Sequence, residues 1–220
     1  MFTKRNLKMT ESIKNTIERT RQYWYIDGFS ELLVGAIFVI LGLLNSATLI
    51  IRPSIGSAAI VGIGYPLVIL GGILFGNKWV KSMKEKVTYP RTGYVKYIQP
   101  ERPSRKARMI KALIIAFMVS IVVNVIISRL DPFWLVFGTG LMIAAFTVYM
   151  GVQIPLNRFH ILAAWIVVVS YMAARLPYPD EIQMGLLLAG TGLGWLIAGS
   201  TSLITYLQKN PLEKPGINED

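Results

Sequence analysis

The chain has 220 residues, of which 53% are hydrophobic and 16% are charged, and its mean hydropathy is +0.50. Soluble domains carry about a quarter charged residues, so this is the composition of a membrane protein. The net charge of +11 does not indicate nucleic-acid binding here, because the cations flank apolar segments in the positive-inside pattern. With no cysteine and one histidine, disulfides, thiolate nucleophiles and multi-histidine metal sites are excluded.

Residues 1–28 are polar and predict an amphipathic helix on the cytoplasmic membrane surface. Apolar side chains recur at helical spacing at Met9, Ile13, Ile17 and Trp24. Trp24 and Tyr25 would anchor this helix among the headgroups, and packing on a cytoplasmic loop is the alternative. No short apolar core with a cleavage site follows the first charges, so we expect no cleavable signal peptide. Asp27 and Gly28 are expected to break this helix or to cap the next one.

Six apolar segments predict an all-α integral membrane protein with about six transmembrane helices. They cover 29–51, 56–76, 109–128, 133–151, 159–174 and 182–207. Their lengths are close to the 17–25 residues that a bilayer requires. The first two segments form the region 29–76, and the last four form the region 109–207. Pro66 is expected to kink the second segment, Gly72 and Gly76 to form a helix-packing face, and the tail 208–220 to be disordered.

The distribution of cations predicts which side of the membrane each loop occupies. If the N-terminus is cytoplasmic, 20 of the 23 Lys and Arg residues fall on the cytoplasmic side. The outside turns hold only Arg52, Arg129 and Arg175. This asymmetry predicts that both termini are cytoplasmic. We therefore expect a multi-pass protein of the cell membrane, of the prokaryotic cytoplasmic (inner) membrane type.

Motifs of intramembrane enzymes are absent from the sequence. There is no H-E-x-x-H and no G-x-S-x-G. His160 could meet Ser170, Ser200 or Ser202, but such hydroxyls more often bond backbone carbonyls within transmembrane helices. The glycine run 190–194 lies inside an apolar segment with no preceding strand, so it indicates helix packing rather than phosphate binding. We expect no catalytic residue, no cofactor, no metal site and no enzymatic activity.

Charged residues are scarce within the apolar segments, and Glu31 is the one that we single out. A carboxylate one turn inside a membrane is costly unless it is paired or hydrated. Arg158 and His160 are its candidate partners, and Asn124 completes a predicted intramembrane polar cluster. This cluster is either a polar pocket open to the cytoplasm or, as we favour, a structural ion pair or an acid stabilised by the helix dipole. Neutral mid-segment residues would line a pore or, more commonly, join helices: Asn45, Asn124, Thr139, Thr147, Ser170 and Thr191.

The basic cytoplasmic loop 77–108 contains a second candidate functional region. Two β-rich runs flank a Pro-Arg-Thr-Gly turn and predict a short hairpin over 89–97. Its candidate functional residues are Tyr89, Arg91, Tyr94 and Lys96. They would contact anionic lipid headgroups or the acidic surface of a protein partner. Simple anchoring of the loop in the headgroup layer is the equal alternative.

The order of elements resembles the membrane subunits of ABC-2-type exporters. The shared features are an interfacial N-terminal helix, six spans, cytoplasmic termini and a charged loop between the second and third spans. In that family this loop contacts the ATPase. The hairpin-like loop and the short turn between the fifth and sixth spans depart from it, and no sequence motif supports the likeness.

The sequence favours a non-enzymatic partner or scaffold subunit of a membrane complex, with a role related to transport. The alternative is a transporter or permease in its own right, either an ABC-2-like membrane subunit or a carrier of small solutes. Expected partners are the lipid bilayer, an ATPase or other membrane subunit, and a second copy of the chain, but no nucleic acid. A cavity lined by Asn45, Asn124 and Thr139 would favour the transporter, whereas a solid core with glycine contacts would favour the scaffold.

Overall fold

A computed structural model describes residues 25–50, 60–92, 131–154 and 156–211. Within these ranges the chain is helical and contains no strand. The helices are α1 (Phe29–Ile50), α2 (Tyr65–Met83), α3 (Tyr89–Thr92), α4 (Pro132–Gln153), α5 (Asn157–Arg175) and α6 (Asp180–Lys209). Two π-helical segments, Ile60–Gly64 and Lys84–Thr88, flank α2. Five helices of the described residues are long and apolar enough to cross a membrane, so this is a multi-pass helical membrane protein by composition and length.

Several helix boundaries follow from local chemistry that the sequence displays. Asp131 precedes Pro132, and its carboxylate accepts a hydrogen bond from the backbone N–H of Phe133 at 3.0 Å. Proline is favoured in the first helical turn because its missing N–H would have no helical partner there. Before α1, the carboxylate of Asp27 accepts from the N–H of Phe29 at 3.3 Å. Gly28 has φ +75°, which separates this turn from the helix, so the Asp27–Gly28 pair caps α1 as expected.

The second predicted segment is longer than expected, and the predicted loop after it begins as helix. The chain is helical without a break from Ile60 to Thr92, past the predicted end at residue 76. Val87–Thr92, the first arm and part of the turn of the predicted hairpin, is helical, so that prediction is wrong in the described residues. The reason is that Lys84 and Thr88 lie on one helical face with buried partners, which overrides the β propensity of valine, threonine and tyrosine. The π-helical turn ends immediately before Tyr65-Pro66, where proline interrupts the regular hydrogen-bond ladder.

Some predictions concern residues outside the described ranges and stay predictions. They are the amphipathic helix of residues 1–24, the third span 109–128 with Asn124, the second arm of the hairpin with Tyr94 and Lys96, and most of the tail 208–220.

The centre of the fold is a close antiparallel contact between α1 and its N-terminal turn and α6. Three glycines on each side, spaced seven residues apart, face one another as Gly28 with Gly199, Gly35 with Gly192, and Gly42 with Gly185. A Cβ added to Gly35 would lie 2.8 Å from the carbonyl oxygen of Gly192. A Cβ added to Gly42 would lie 2.7 Å from that of Gly185. A seven-residue spacing keeps small residues on one seam of a helix pair, so the two backbones touch along most of their length.

The other helices pack around this pair. The predicted face on α2 meets side chains of α1, with Gly72 against Ile37 and Gly76 against Leu33. Helices α4 and α5 form an antiparallel hairpin that packs on α6 through a core containing Phe159, Ile166 and Trp195. Gly140 approaches Ser170 closely. Large apolar side chains on the outer faces of α2, α4 and α5 are exposed, as expected for surfaces that meet lipid.

Candidate site: the charged end of the helix bundle

The site with the most polar contacts lies at one end of the bundle, where α1 begins, the helical stretch after α2 ends, α5 begins and α6 approaches its end. We call it the charged end, defined by Asp27, Glu31, Lys84 and Arg158. Asp27 is 0% exposed, Glu31 1% and Lys84 2%. Fully buried charges are costly unless they are paired. Each of the two acids therefore needs a cation, and each has one.

The first pair joins the turn before α1 to the segment after α2. Lys84 Nζ lies 2.7 Å from Asp27 Oδ2, and the hydroxyl of Thr88 donates to the same oxygen at 3.0 Å. Lys84 and Thr88 are four residues apart, so both project from one side of the helix. The hydroxyl of Tyr206 on α6 donates to the carbonyl of Thr88 at 3.3 Å and lies 3.0 Å from the hydroxyl of Thr92. The Asp27–Lys84 pair and the bonds of Tyr206 therefore join the turn before α1, the helical segment after α2, and α6.

The second pair joins α1 to α5. Arg158 Nη2 lies 2.7 Å from Glu31 Oε1. The guanidinium also donates to the hydroxyl of Ser202 on α6 and to the backbone carbonyl of Tyr25. Burial and, secondarily, the negative charge of Glu31 raise the pKa of Tyr25, so its phenol stays neutral. One guanidinium thus contacts three segments of the chain, which only a planar group with several donors can do.

The structure separates the two partners that the sequence offered for Glu31. Arg158 forms the ion pair. The side chain of His160 is exposed and lies beside Gly151 of α4, and no contact joins it to Glu31 among the described residues. Because His160 is two residues after Arg158, it lies on another face of α5. Whether the pair serves a function beyond structure stays a prediction.

The structure describes two of the four candidate residues of the predicted loop site, Tyr89 and Arg91. Of these, Arg91 is the charged one. Its Nη1 donates to the carbonyl of Val87, four residues earlier, at 2.7 Å. The guanidinium therefore folds back along its own helix. Tyr89 lies in the same helical turn and is half-buried. Arg91 and Tyr89 thus extend the charged end rather than a hairpin.

Sequence reasoning missed Asp27, Lys84 and Thr88 as partners in a buried network. It read Asp27 only as a helix cap and Lys84 only as one of many loop cations. A signal was present, because Asp27 and Glu31 are four residues apart at the start of an apolar segment. Two acids on one side of the chain at the start of a membrane helix predict two buried cations nearby. The sequence does not show which of the many cations they are.

Four of the five described mid-segment polar residues, Asn45, Thr139, Thr147 and Ser170, form hydrogen bonds, whereas the hydroxyl of Thr191 is buried and has no hydrogen-bond partner among the described residues. Thr139 donates to the carbonyl of Leu135 at 2.7 Å and Thr147 to that of Ile143 at 2.8 Å. At the end of the bundle opposite the charged end, Asn45 bonds to the carbonyl of Glu181 and to the hydroxyl of Tyr65. These groups therefore join helices or bond their own helix rather than line a pore.

Two clefts open beside Arg158, between α5 and α6. The first has a volume of about 380 Å³ and is mainly apolar, with Ile161, Trp165, Gly194, Ile197 and Ala198 in its lining. The second, of about 360 Å³, is lined by polar groups that include Ser202, Thr205, Tyr206, Lys209 and Asn210. Arg158 and Thr201 border both clefts. They are the physical link between an apolar groove and a polar one.

The site offers ion pairing and hydrogen bonding but no arrangement for metal chemistry. Within the described ranges, no group of three or more His, Asp or Glu side chains could hold a metal ion. Comparison with known protein families, with curated proteins and with solved structures finds no match to this chain. The functional argument therefore starts from the geometry alone.

Proposed function

We propose that this chain is a non-enzymatic, multi-pass membrane protein that serves as a partner or scaffold subunit in a membrane complex. The observation that carries the proposal is the glycine contact between α1 and α6. Where two backbones touch along a seam, no path for a solute runs between them. Lipid-accessible apolar faces on α2, α4 and α5 supply area against which other transmembrane helices can pack.

The charged end supports the same proposal. Two buried ion pairs and the bonds of Tyr206 fix the relative positions of the helix ends. A rigid end of this kind presents the basic segment after α2 in one orientation. The exposed cation Lys86 of this segment is then available to an acidic protein partner.

A transporter or permease is the second candidate, and the buried acids favour it. Carboxylates inside a span are typical of ion and proton pathways. Glu31 contacts Arg158, which borders both clefts. This reading requires the ion pair to open during a transport cycle.

Purification of the tagged full-length chain from its native membrane in a mild detergent tests the proposal. A scaffold subunit should elute with a second membrane protein or ATPase in a fixed ratio. A chain that elutes alone and moves a solute across reconstituted vesicles would overturn the scaffold proposal in favour of the transporter.

Variants of the basic segment identify the surface involved. Arg91→Glu should release the partner, and Arg91→Lys distinguishes the contact, because an ammonium retains the charge but not the planar fork of the guanidinium. Tyr94→Ala tests the aromatic contribution. Lys78→Glu, an exposed change further back on α2, is the matched control. If all the variants retain the partner equally, this segment is not the contact surface.

A further inference from the structure

The two clefts beside Arg158 share part of their lining, and the second exposes more polar surface than the first. The apolar cleft runs along α5 and α6, with buried Leu162 and Gly194 at its base and exposed Ile161 and Ile197 at its margins. The polar cleft continues along α6 toward its C-terminal end. Because Arg158 and Thr201 line both, a molecule with an apolar and a polar part can occupy both at once.

The charge of the polar cleft selects an anion. Arg158 is compensated by Glu31. Lys209 is exposed, and no ion pair involves it among the described residues. The lining contains no acidic side chain, so the polar cleft has an uncompensated positive charge. The hydroxyls of Thr201 and Thr205 and the amide of Asn210 line the same cleft, but each donates to a backbone carbonyl of α6. Lys209 is therefore the group of this cleft that attracts a phosphate.

The apolar cleft has features suited to a hydrocarbon chain. The indole N–H of Trp165 donates to the carbonyl of Gly190 at 3.0 Å, which holds the ring beside the groove. A Cβ on Gly194 would clash with Cδ1 of Trp165, so this glycine lets the indole lie against α6. The small side chain of Ala198 lines the groove beside it. Ile161 is 72% exposed, so the groove opens sideways, toward the lipid, rather than into the core.

We propose that these joined clefts form a binding site for one anionic phospholipid, with its phosphate near Lys209 and Arg158 and one acyl chain along Trp165 and Ala198. A soluble phosphate would use only the polar half, and a zwitterionic lipid such as phosphatidylcholine would bring a choline cation to Lys209 together with its phosphate. The site differs from the basic segment after α2 and does not depend on the proposed scaffold role.

Native mass spectrometry of the full-length protein tests the site. The purified protein is mixed with equal amounts of phosphatidylglycerol and phosphatidylcholine of the same chain length. We expect one phosphatidylglycerol to be retained in preference to phosphatidylcholine. Glycerol phosphate, which lacks acyl chains, should not displace it. Equal retention of both lipids, or displacement by glycerol phosphate, would overturn the proposal.

Two variants and a matched control locate the binding. Lys209→Gln should weaken retention of phosphatidylglycerol roughly fivefold, the equivalent of about 1 kcal/mol for one cation near an anionic headgroup. Lys86→Gln removes the same charge from an exposed position at the same end of the bundle and should leave retention unchanged. Ala198→Phe should fill the apolar groove and reduce retention of the lipid without changing the charge.

A thermal unfolding curve in phosphatidylcholine alone shows whether Ala198→Phe is folded. If it is not, the comparison of the two lysine variants decides, since both positions are exposed. Equal weakening by Lys209→Gln and Lys86→Gln would mean general surface attraction and would overturn the proposal. A folded Ala198→Phe protein with wild-type retention would overturn it as well.

Discussion

At the residue scale, the charged end depends on a few buried groups rather than on the many cations around them. Lys84 and Lys86 are two residues apart in the same basic stretch, yet Lys84 is 2% exposed and Lys86 is exposed. Helical geometry sends these side chains in different directions. Their surroundings therefore differ more than their sequence positions suggest, and this gives a matched pair of substitutions.

We expect Lys84→Met to destabilise the protein by about 3–5 kcal/mol, because it leaves the buried carboxylate of Asp27 without its cation. Lys86→Met should change stability by no more than about 0.5 kcal/mol, as exposed substitutions usually do. Thermal unfolding in detergent micelles measures both. A Lys84→Met protein as stable as Lys86→Met would show that Asp27 is not held by this ion pair.

The ion pair of Glu31 and Arg158 is suited to a double-mutant cycle. Arg158→Met should cost about 3 kcal/mol, because the carboxyl group of Glu31 would stay buried without its partner. The double variant Glu31→Leu with Arg158→Met should be more stable than Arg158→Met alone, since the unpaired buried carboxyl group is gone. It should not regain full stability, because the bonds of Arg158 to Ser202 and to the carbonyl of Tyr25 are also lost.

The exposed pair of Lys81 and Glu85 is the control for that cycle. Their ion-pair atoms are 3.7 Å apart, and their side chains are 63% and 53% exposed. Solvent screening limits such a pair to a few tenths of a kcal/mol, about 0.3–0.5 kcal/mol for this spacing on a helix. Additive effects of Glu31 and Arg158, as expected for this control, would contradict a coupled buried pair.

At the element scale, the glycine contact between α1 and α6 is the feature that restricts substitution most strongly. Gly192→Leu should destabilise the fold by about 3 kcal/mol, at the upper end of overpacking costs. The reason is that its Cβ would lie 2.7 Å from the carbonyl oxygen of Gly35, and backbone cannot move aside as a flexible side chain does. Gly138→Leu on α4 is the control, because a Cβ there meets nothing within 4 Å.

The same unfolding measurement separates steric clash from helix propensity. Both substitutions replace glycine with a better helix former, which alone favours the helix by up to about 1 kcal/mol. Gly138→Leu should therefore be neutral or slightly stabilising. Equal losses from the two variants would indicate that the α1–α6 contact is looser than described.

Sequence periodicity and segment length predicted which segments form helices better than they predicted where every helix ends. Helices α1, α4, α5 and α6 begin and end within two residues of the predicted segments, because hydrophobic length and flanking Asp131-Pro132 or Asp27-Gly28 signals are local. The end of the continuous helical stretch that contains α2 and α3 was predicted 16 residues too early, at 76 rather than 92. That extension depends on the partners of Lys84 and Thr88, which are distant in sequence.

The candidate site, like the helices, was only partly predictable from the sequence. An acid inside an apolar segment is visible in any sequence, and spans that alternate direction place Arg158 at the same end as Glu31. The pair of Asp27 with Lys84 was not predictable, because the chain offers ten cations in 78–108 and only the three-dimensional path selects one. The glycines of α1 and α6 are visible in the sequence, but their pairing required the antiparallel packing.

At the scale of the whole molecule, the two ends of the bundle are chemically distinct. The charged end collects the start of α1, the end of α3, the start of α5 and the end of α6. The opposite end joins Asn45 with Glu181 and Tyr65. There Arg175 also lies 4.9 Å from the centre of the Phe133 ring at the start of α4. Helices α1 and α5 thus run away from the charged end, whereas α2, α4 and α6 run toward it.

This arrangement constrains where the segment 93–130 must begin and end. Thr92 lies at the charged end, whereas Asp131 precedes the start of α4 at the opposite end. The intervening chain must therefore pass from one end of the bundle to the other. It has 38 residues, and its apolar part 109–128 is as long as a bilayer span, which takes about 20 residues. We predict that it crosses the membrane once, as the third of six spans.

Reporter fusions at residues 92, 131, 155 and 178 test the predicted map. They should report cytoplasmic, outside, cytoplasmic and outside, because most of the described cations lie at the charged end and positive loops stay in the cytoplasm. Since the chain has no cysteine, Thr92→Cys and Tyr178→Cys can be labelled with a membrane-impermeant maleimide in the full-length protein. Thr92→Cys should react only after the membrane is opened, whereas Tyr178→Cys should react in intact cells. Labelling of Thr92→Cys in intact cells would invert the orientation, and identical labelling of the two would contradict the alternation of the helices.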